Sequence, residues 1–105
     1  MQTFIYTLRP IRTSMLTEGP TEREEEVLDH HVKYLAGLTE AGIVYAAGRT
    51  ATNDENTFGI VLFKADDRGF AMQIMNADPA VQHGVMEATL LPFRLAMWSD
   101  SNPMD

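Results

Sequence analysis

Apolar and polar residues alternate at the start of the chain, where Phe4, Tyr6 and Leu8 alternate with Thr3, Ile5 and Thr7. Three later segments are also rich in strand-forming residues, and the polar stretch TATNDENT makes the second and third a hairpin. The four predicted strands are TFIYTL at 3–8, IVYAAGR at 43–49, FGIVLFK at 58–64 and VMEATLLPFRLAMW at 85–98. Pro10 ends the first strand. Pro92 lacks an N–H, so it should lie at a sheet edge or bulge.

Between the first two strands the apolar residues recur with the period of a helix. Thr21 is a predicted N-cap, Glu24 completes a capping box three residues later, and Gly42 ends the helix. A second helix begins at Asp66 or Asp67, and one short turn follows the break at Pro79. The apolar side of that second helix is predicted to hold Phe70, Ala71, Ile74 and Met75. Residues 9–20 are predicted to be a loop with Gly and Pro at its end.

The resulting order is β-α-β-β-α-β, which predicts an α+β, ferredoxin-like fold with helices on one face of an antiparallel sheet. The strands are nevertheless apolar on both faces: Phe4 and Ile5 point in opposite directions, as do Val61 and Leu62. A face exposed to water would alternate with polar residues. We therefore expect the second face to pack on the same face of another copy, giving a homodimer. The sequence leaves open whether dimers join into larger rings.

Composition narrows the possible functions. A chain of 105 residues with 45% hydrophobic residues suits one domain, predicted over 1–98 with a flexible tail at 99–105. A net charge of -7 argues against nucleic-acid binding, and the absence of cysteine excludes disulfides and thiolate chemistry. The start of the chain lacks a basic signal-peptide region, and no apolar run is long enough to span a membrane. We therefore expect a cytoplasmic protein that binds no membrane.

Two adjacent histidines raise the question of chemistry. With Val27 at zero on a helical wheel, His31 lies at about 40°, within the apolar stripe, and His30 at about 300°, on its flank. An inward histidine either packs in the core with a satisfied hydrogen bond or acts as a general acid or base. His83 is predicted to lie at a helix end. Because the three histidines lack an i, i+4 spacing, we predict no metal site.

Other polar residues have both structural and functional interpretations. Asp78 before Pro79 is ordinary capping chemistry. Tyr6 is typical of a strand core, although a buried phenol needs a hydrogen-bond partner. Arg9 and Arg49 lie at strand ends, where they are usually solvated but would hold a carboxylate if they bordered a cleft.

The chain resembles the YciI-like family of the dimeric α/β-barrel superfamily. The resemblance rests on His31 with the helix end YLAGLTEAG, on AAG at 46–48, on FGIVLFKADD at 58–67 and on NADPAVQHGVMEATLLPF at 76–93. These motifs cover about 29–93 of the chain, and their order and spacing together are fairly specific. The residue after the glycine of AAG is Arg49, where the family usually has proline, and the loop at 9–20 is longer than in compact members.

The resemblance implies a ferredoxin-like fold, a dimer with its sheets face to face, and a His–Asp pair in a cleft. Carried onto this chain, the pair is His31 and Asp78, with Tyr6, Arg9 and Arg49 as candidate substrate-binding residues. Relatives in the superfamily include muconolactone isomerase and dehydrochlorinases of chlorinated hydroxyquinols. The resemblance therefore implies a lyase or isomerase that needs no cofactor and moves a proton on a small cyclic or carbonyl-bearing substrate. The alternative is a non-catalytic ligand-binding or accessory module, in which the pair is sealed from solvent.

Overall fold

The computed structural model describes residues 1–104. Its four strands, β1 (Gln2–Pro10), β2 (Val44–Arg49), β3 (Gly59–Ala65) and β4 (Met86–Pro92), form one sheet in the order β2-β3-β1-β4. All neighbouring strands are antiparallel. This arrangement confirms the predicted α+β fold, in which the first strand lies between β3 and β4 in the interior of the sheet.

Among residues 1–104, the strands are connected by four helices: α1 (Ser14–Thr17), α2 (Glu22–Glu40), α3 (Arg68–Ala77) and α4 (Pro79–Gln82). The predicted capping box of α2 is present, with both the Thr21 and the Glu24 side chain in use. Gly42 follows the helix with a φ of 76°, a conformation that glycine adopts without the steric cost a Cβ would add. Asp67, rather than Asp66, caps α3 by accepting a hydrogen bond from the Phe70 N–H.

The core lies between the sheet and these helices. It contains Phe4, Tyr6 and Leu8 of β1, which point to the helix side, and their neighbours Val61 and Phe63 on β3. Ala71, Ile74 and Met75 of α3 are buried as predicted. Phe70, which we expected on the same side, is 49% exposed. It is the third residue of α3, in the first turn of the helix, where its backbone N–H donates to the N-cap Asp67.

The other face of the sheet carries a single apolar row. Ile5 is paired with Leu62 on one side and with Leu91 on the other. The next row along the strands, with Thr7 at its centre, ends in Thr89 on β4 and is more polar. The expectation of two apolar faces therefore holds for the centre of the sheet rather than for its whole area.

Two predicted boundaries are wrong. The last strand ends at Pro92 instead of Trp98. Phe4 lies opposite Pro92, so β1 has too few residues before Phe4 to pair as far as Trp98, and the Phe93 N–H donates to the Thr3 carbonyl just beyond the end of β4. Pro92 does lie on an edge strand, as its missing N–H requires. The predicted loop at 9–20 also contains the single-turn helix α1. In the described part of the chain, no helix is both long and apolar enough to cross a membrane.

Candidate active site

The site is organised around Asp78, which lies between α3 and α4 and is fully buried. As the N-cap of α4, its Oδ1 accepts a hydrogen bond from the Ala80 N–H at 3.0 Å. Its Oδ2 accepts a second from the Tyr6 hydroxyl at 2.7 Å. His31 supplies the third contact, with its Nδ1 2.7 Å from Asp78 Oδ1. A buried carboxylate with this many donors is stabilised in place.

His31 reaches Asp78 from the apolar stripe of α2, across 47 positions of sequence. A carboxylate only accepts hydrogen bonds, so the proton of the contact lies on His31 Nδ1. The opposite ring nitrogen, Nε2, is then the one directed away from the carboxylate. The only hydrogen bond found for the ring among residues 1–104 is at Nδ1, and no buried side-chain nitrogen there lacks a partner, so Nε2 is accessible from the surface. The His31 side chain is 13% exposed, and the residue lines a cleft. His30 is exposed to solvent, as its position on the wheel predicts.

Tyr6, predicted to bind substrate, instead lies behind the pair in the sheet core, where it is fully buried and does not line the cleft. Burial, with a further contribution from the neighbouring Asp78 carboxylate, raises the pKa of the Tyr6 phenol far above its ordinary value. The phenol therefore stays protonated and donates to Asp78 at any physiological pH. Tyr34 of α2 is similar: burial and then Asp78 raise the pKa of its phenol, which donates to the Ile74 carbonyl at 2.7 Å. The sequence indicates that a buried Tyr6 needs a partner but does not identify that partner.

A cleft of about 1580 Å³ runs between α2 and the β2 edge of the sheet. Its walls are mostly apolar and include Leu8, Met15, Leu28 and Val32. His31 is at its wall, whereas Asp78 lies behind His31 and does not line it. The expectation that both members of the pair touch the cleft therefore holds only for His31, because the oxygens of Asp78 are turned inward to Tyr6 and Ala80.

The segment between β1 and α2 borders this cleft, and Arg12 of this segment holds it to α2 through hydrogen bonds. The Arg12 guanidinium donates to both carboxylate oxygens of Glu24, at 2.5 and 2.9 Å, and also bonds the Ser14 hydroxyl and the Gly19 carbonyl. These contacts from Arg12, followed by the backbone hydrogen bond from Thr21, lower the pKa of Glu24 to about 2. The capping-box role of Glu24 is predicted from the sequence, but its contact with Arg12 is not, because the two residues are 12 positions apart.

The two arginines proposed as substrate ligands have different positions. Arg49 lines the cleft at the end of β2. Arg9 lies outside the lining, and its guanidinium is 5.1 Å from the centre of the Phe58 ring. Phe58 itself borders the cleft, so any influence of Arg9 on a bound molecule would act through this ring.

Two further features concern the whole described chain. Within residues 1–104, no group of three or more His, Cys, Asp or Glu side chains is arranged to hold a metal ion. Over the same residues, no buried side-chain nitrogen or oxygen lacks a hydrogen-bond partner. The buried polar groups around Asp78 thus form a complete network.

Comparison with known proteins places the chain in a family. A search of curated proteins finds no match. Among solved structures, the fold is similar to that of 5-chloro-2-hydroxyhydroquinone dehydrochlorinase from Burkholderia phenoliruptrix AC1100 in complex with 2,5-dihydroxybenzoquinone. The TM-score is 0.63 at 14% identity, over 89% of this chain and 95% of that chain. The family model of the YCII-related domain matches residues 5–94, and the chain belongs to that family.

Proposed function

We propose that the protein is a lyase or isomerase that needs no cofactor and uses His31 as its general acid and base. This proposal rests on the different surroundings of the two ring nitrogens of His31. Nδ1 is held by the buried carboxylate of Asp78, and Nε2 is left for the cleft. A histidine that only packs in a core has no need of an open ring nitrogen.

In the proposed step, Nε2 accepts a proton from a substrate carbon next to a carbonyl or hydroxyl-bearing carbon. The electron pair of the broken C–H bond forms a new double bond. In a lyase a leaving group such as chloride departs with its own bonding pair. In an isomerase the imidazolium returns the proton to another carbon. Asp78 stabilises the imidazolium formed in between and fixes the tautomer, so it is a positioning residue.

Tyr6 is a second positioning residue in this proposal. Its hydroxyl occupies Asp78 Oδ2, which leaves Oδ1 to Ala80 and His31. The carboxylate then has no freedom to rotate away from the imidazole. Arg49 contributes to substrate binding from the cleft wall, and Arg9 acts indirectly through Phe58.

The proposed substrate is a small cyclic or carbonyl-bearing molecule. The similar dehydrochlorinase has 2,5-dihydroxybenzoquinone as its bound molecule, a ring of this kind. The mostly apolar cleft beside His31 has room for such a ring. The accessory-module alternative needs the pair to be sealed from solvent. The 13% exposure of the His31 side chain argues for the enzyme.

We also propose that the working form is a homodimer. The row Leu62, Ile5 and Leu91 lies on the sheet face that no helix covers, and Leu91 is 47% exposed. A second copy offers the same row, and burial of both rows removes apolar surface from water.

Hydrogen exchange and chloride release test the proposed chemistry. Lactones, hydroxylated quinones and chlorinated hydroxyquinols are incubated with the protein in D₂O. Incorporation of deuterium is followed by NMR and chloride by electrode. Exchange or elimination that requires His31 but not His30 supports the proposal. Tight binding without exchange or elimination would favour the accessory module.

A further inference from the structure

Arg49 lies at the wall of the cleft. It is the last residue of β2 and is paired with Gly59, which is in turn paired with Leu8 on the helix side of the sheet. A Cβ at Gly59 would lie 3.2 Å from the Gly48 carbonyl oxygen, 3.7 Å from the Arg49 Cβ and 3.8 Å from the Leu8 Cβ. The backbone is therefore closely packed at this point, and Gly59 lines the cleft beside the arginine without a side chain of its own.

The guanidinium of Arg49 forms no ion pair with any of residues 1–104. Within the described lining of the cleft it is the only lysine or arginine, and Asp100 is the only carboxylate. The ion pairs found among residues 1–104 are Arg12 with Glu24 and His31 with Asp78, so no described carboxylate lies within 4.0 Å of Arg49. In a chain with a net charge of -7, the exposed guanidinium of Arg49 is a local positive charge at the wall of a mostly apolar cleft.

Aromatic rings also line the cleft, with Phe58 near the Arg49 end of β2 and Tyr45 near its other end. Tyr45 and Trp98 line it together, with their ring centres 5.9 Å apart. Phe58 lines it as well, and the Arg9 guanidinium lies 5.1 Å from the centre of the Phe58 ring. Flat aromatic surfaces favour planar ligands, which stack on them at little entropic cost.

We infer that Arg49 selects planar anionic substrates, such as ring carboxylates or ionised hydroxyquinones, over neutral molecules of the same shape. The inference rests on the proposed function in taking this cleft as the substrate site. Arg49 binds the anionic oxygen through its guanidinium, which forms stronger hydrogen bonds to charged than to neutral oxygen. The ring lies on the aromatic wall, and the end of the molecule opposite the anion is free to approach His31.

Binding of matched probe pairs tests this selection. The first pair is benzoate and benzamide, and the second is 2,5-dihydroxybenzoquinone, ionised at neutral pH, and its neutral dimethyl ether. Calorimetric or NMR titration compares the native protein with R49Q, R49K and R94Q. Arg94 is an exposed arginine that borders a separate shallow groove, so R94Q is the matched control.

The native protein should bind each anion more tightly than its neutral partner. R49Q should weaken anion binding by about 10- to 100-fold, the usual effect of losing a hydrogen bond to a charged group. R49K should retain part of the preference, and neutral probes should bind R49Q and the native protein equally well. A native protein that binds no anion at millimolar concentration, or prefers the neutral probes, would overturn the inference. So would an equal loss in R94Q.

The outcome is separable from that of the proposed function. Anion selectivity that depends on Arg49, in a protein that exchanges no proton, leaves this inference standing and refutes the enzyme. Proton transfer that depends on His31 but is unchanged in R49Q, for charged and neutral substrates alike, refutes this inference and leaves the enzyme standing.

Discussion

His31 Nδ1 and Asp78 Oδ1 are 2.7 Å apart, although the two residues are separated by 47 positions and lie on different elements. The contact forms because α2 and the junction between α3 and α4 lie on the same side of the sheet. The carboxylate is fully buried and the imidazole is at a cleft wall, so the pair has an inner and an outer member. This asymmetry supports the proposed roles, in which His31 transfers the proton and Asp78 orients the imidazole.

Replacing His31 by alanine should lower turnover by about 10²–10⁴-fold, the usual range for the loss of an acid–base group. His30→Ala should have little effect, because that side chain is exposed on the flank of α2. Both variants are assayed once a substrate is found, and circular dichroism and sedimentation check that each keeps its fold and assembly. Equal activity of the two variants would remove the main support for the enzyme.

Tyr6→Phe should destabilise the protein by about 1–3 kcal/mol, because it leaves Asp78 Oδ2 buried without a donor. The matched change Tyr34→Phe removes a phenol that donates to a backbone carbonyl and should leave His31 in position. Urea denaturation measures the stability of both variants. In the assay, Tyr6→Phe should lower kcat more than it changes KM, and a kcat loss of the same size in Tyr34→Phe would argue against a positioning role for Tyr6.

Alkaline pH offers a second measurement on Tyr6. The pKa of the folded phenol is raised above its ordinary value of 10.0, so folding favours the protonated form. This stabilisation is complete below pH 10 and should be lost as the pH rises above 10, since the unfolded phenol then ionises and the folded one does not. Denaturation followed from pH 8 to pH 11 should show a steeper loss in the native protein than in Tyr6→Phe. Parallel curves would contradict the assigned environment.

The sequence predicted those elements whose ends are marked by local start and stop signals. The capping box at Thr21 and Glu24, the glycine after α2 and the proline after Asp78 all act within a few residues, so local chemistry identifies them. The end of β4 was missed because it depends on where β1 begins, which is a property of the sheet. Helix periodicity similarly identified His31 but could not measure its exposure.

Contacts between distant segments account for the rest of what the sequence left open. The wheel places His31 inward, and the family resemblance supplied Asp78 as its partner. Nothing in either argument indicated that Tyr6 would hold the second carboxylate oxygen, or that Arg12 would hold Glu24. Each of these pairs joins elements whose relative position is set by the packed fold.

Acid should destabilise the protein in part through Glu24. The folded pKa of about 2 lies below the ordinary value of 4.5, so the stabilisation from this carboxylate is present above pH 4.5 and is lost as the pH falls toward 2. Urea midpoints are measured at several pH values between 6 and 2.5 for the native protein, Glu24→Gln and Glu25→Gln. The native protein and Glu25→Gln should lose more stability over this window than Glu24→Gln, since Glu25 is an exposed neighbour on the same helix. An equally steep loss in Glu24→Gln would exclude a contribution from the Arg12 contact.

The proposed dimer predicts that Leu91→Glu produces a monomer. Leu91 is 47% exposed in the row with Ile5 and Leu62, and two charged side chains facing each other across a buried interface would each be desolvated without a partner. Phe70→Glu is the matched control: Phe70 is similarly exposed, at 49%, but lies on α3, among the helices that cover the other face.

Sedimentation velocity over micromolar concentrations separates the outcomes. The native protein and Phe70→Glu should sediment as dimers or as larger assemblies of them, as expected for an obligate interface of upwards of ~2,000 Å². Leu91→Glu should sediment as a monomer, or fold less stably if little monomer is stable alone. A native protein that is a folded monomer at these concentrations would refute the dimer. If Phe70→Glu alone became monomeric, the interface would lie on the helices, and the apolar row of the sheet would be an ordinary exposed surface.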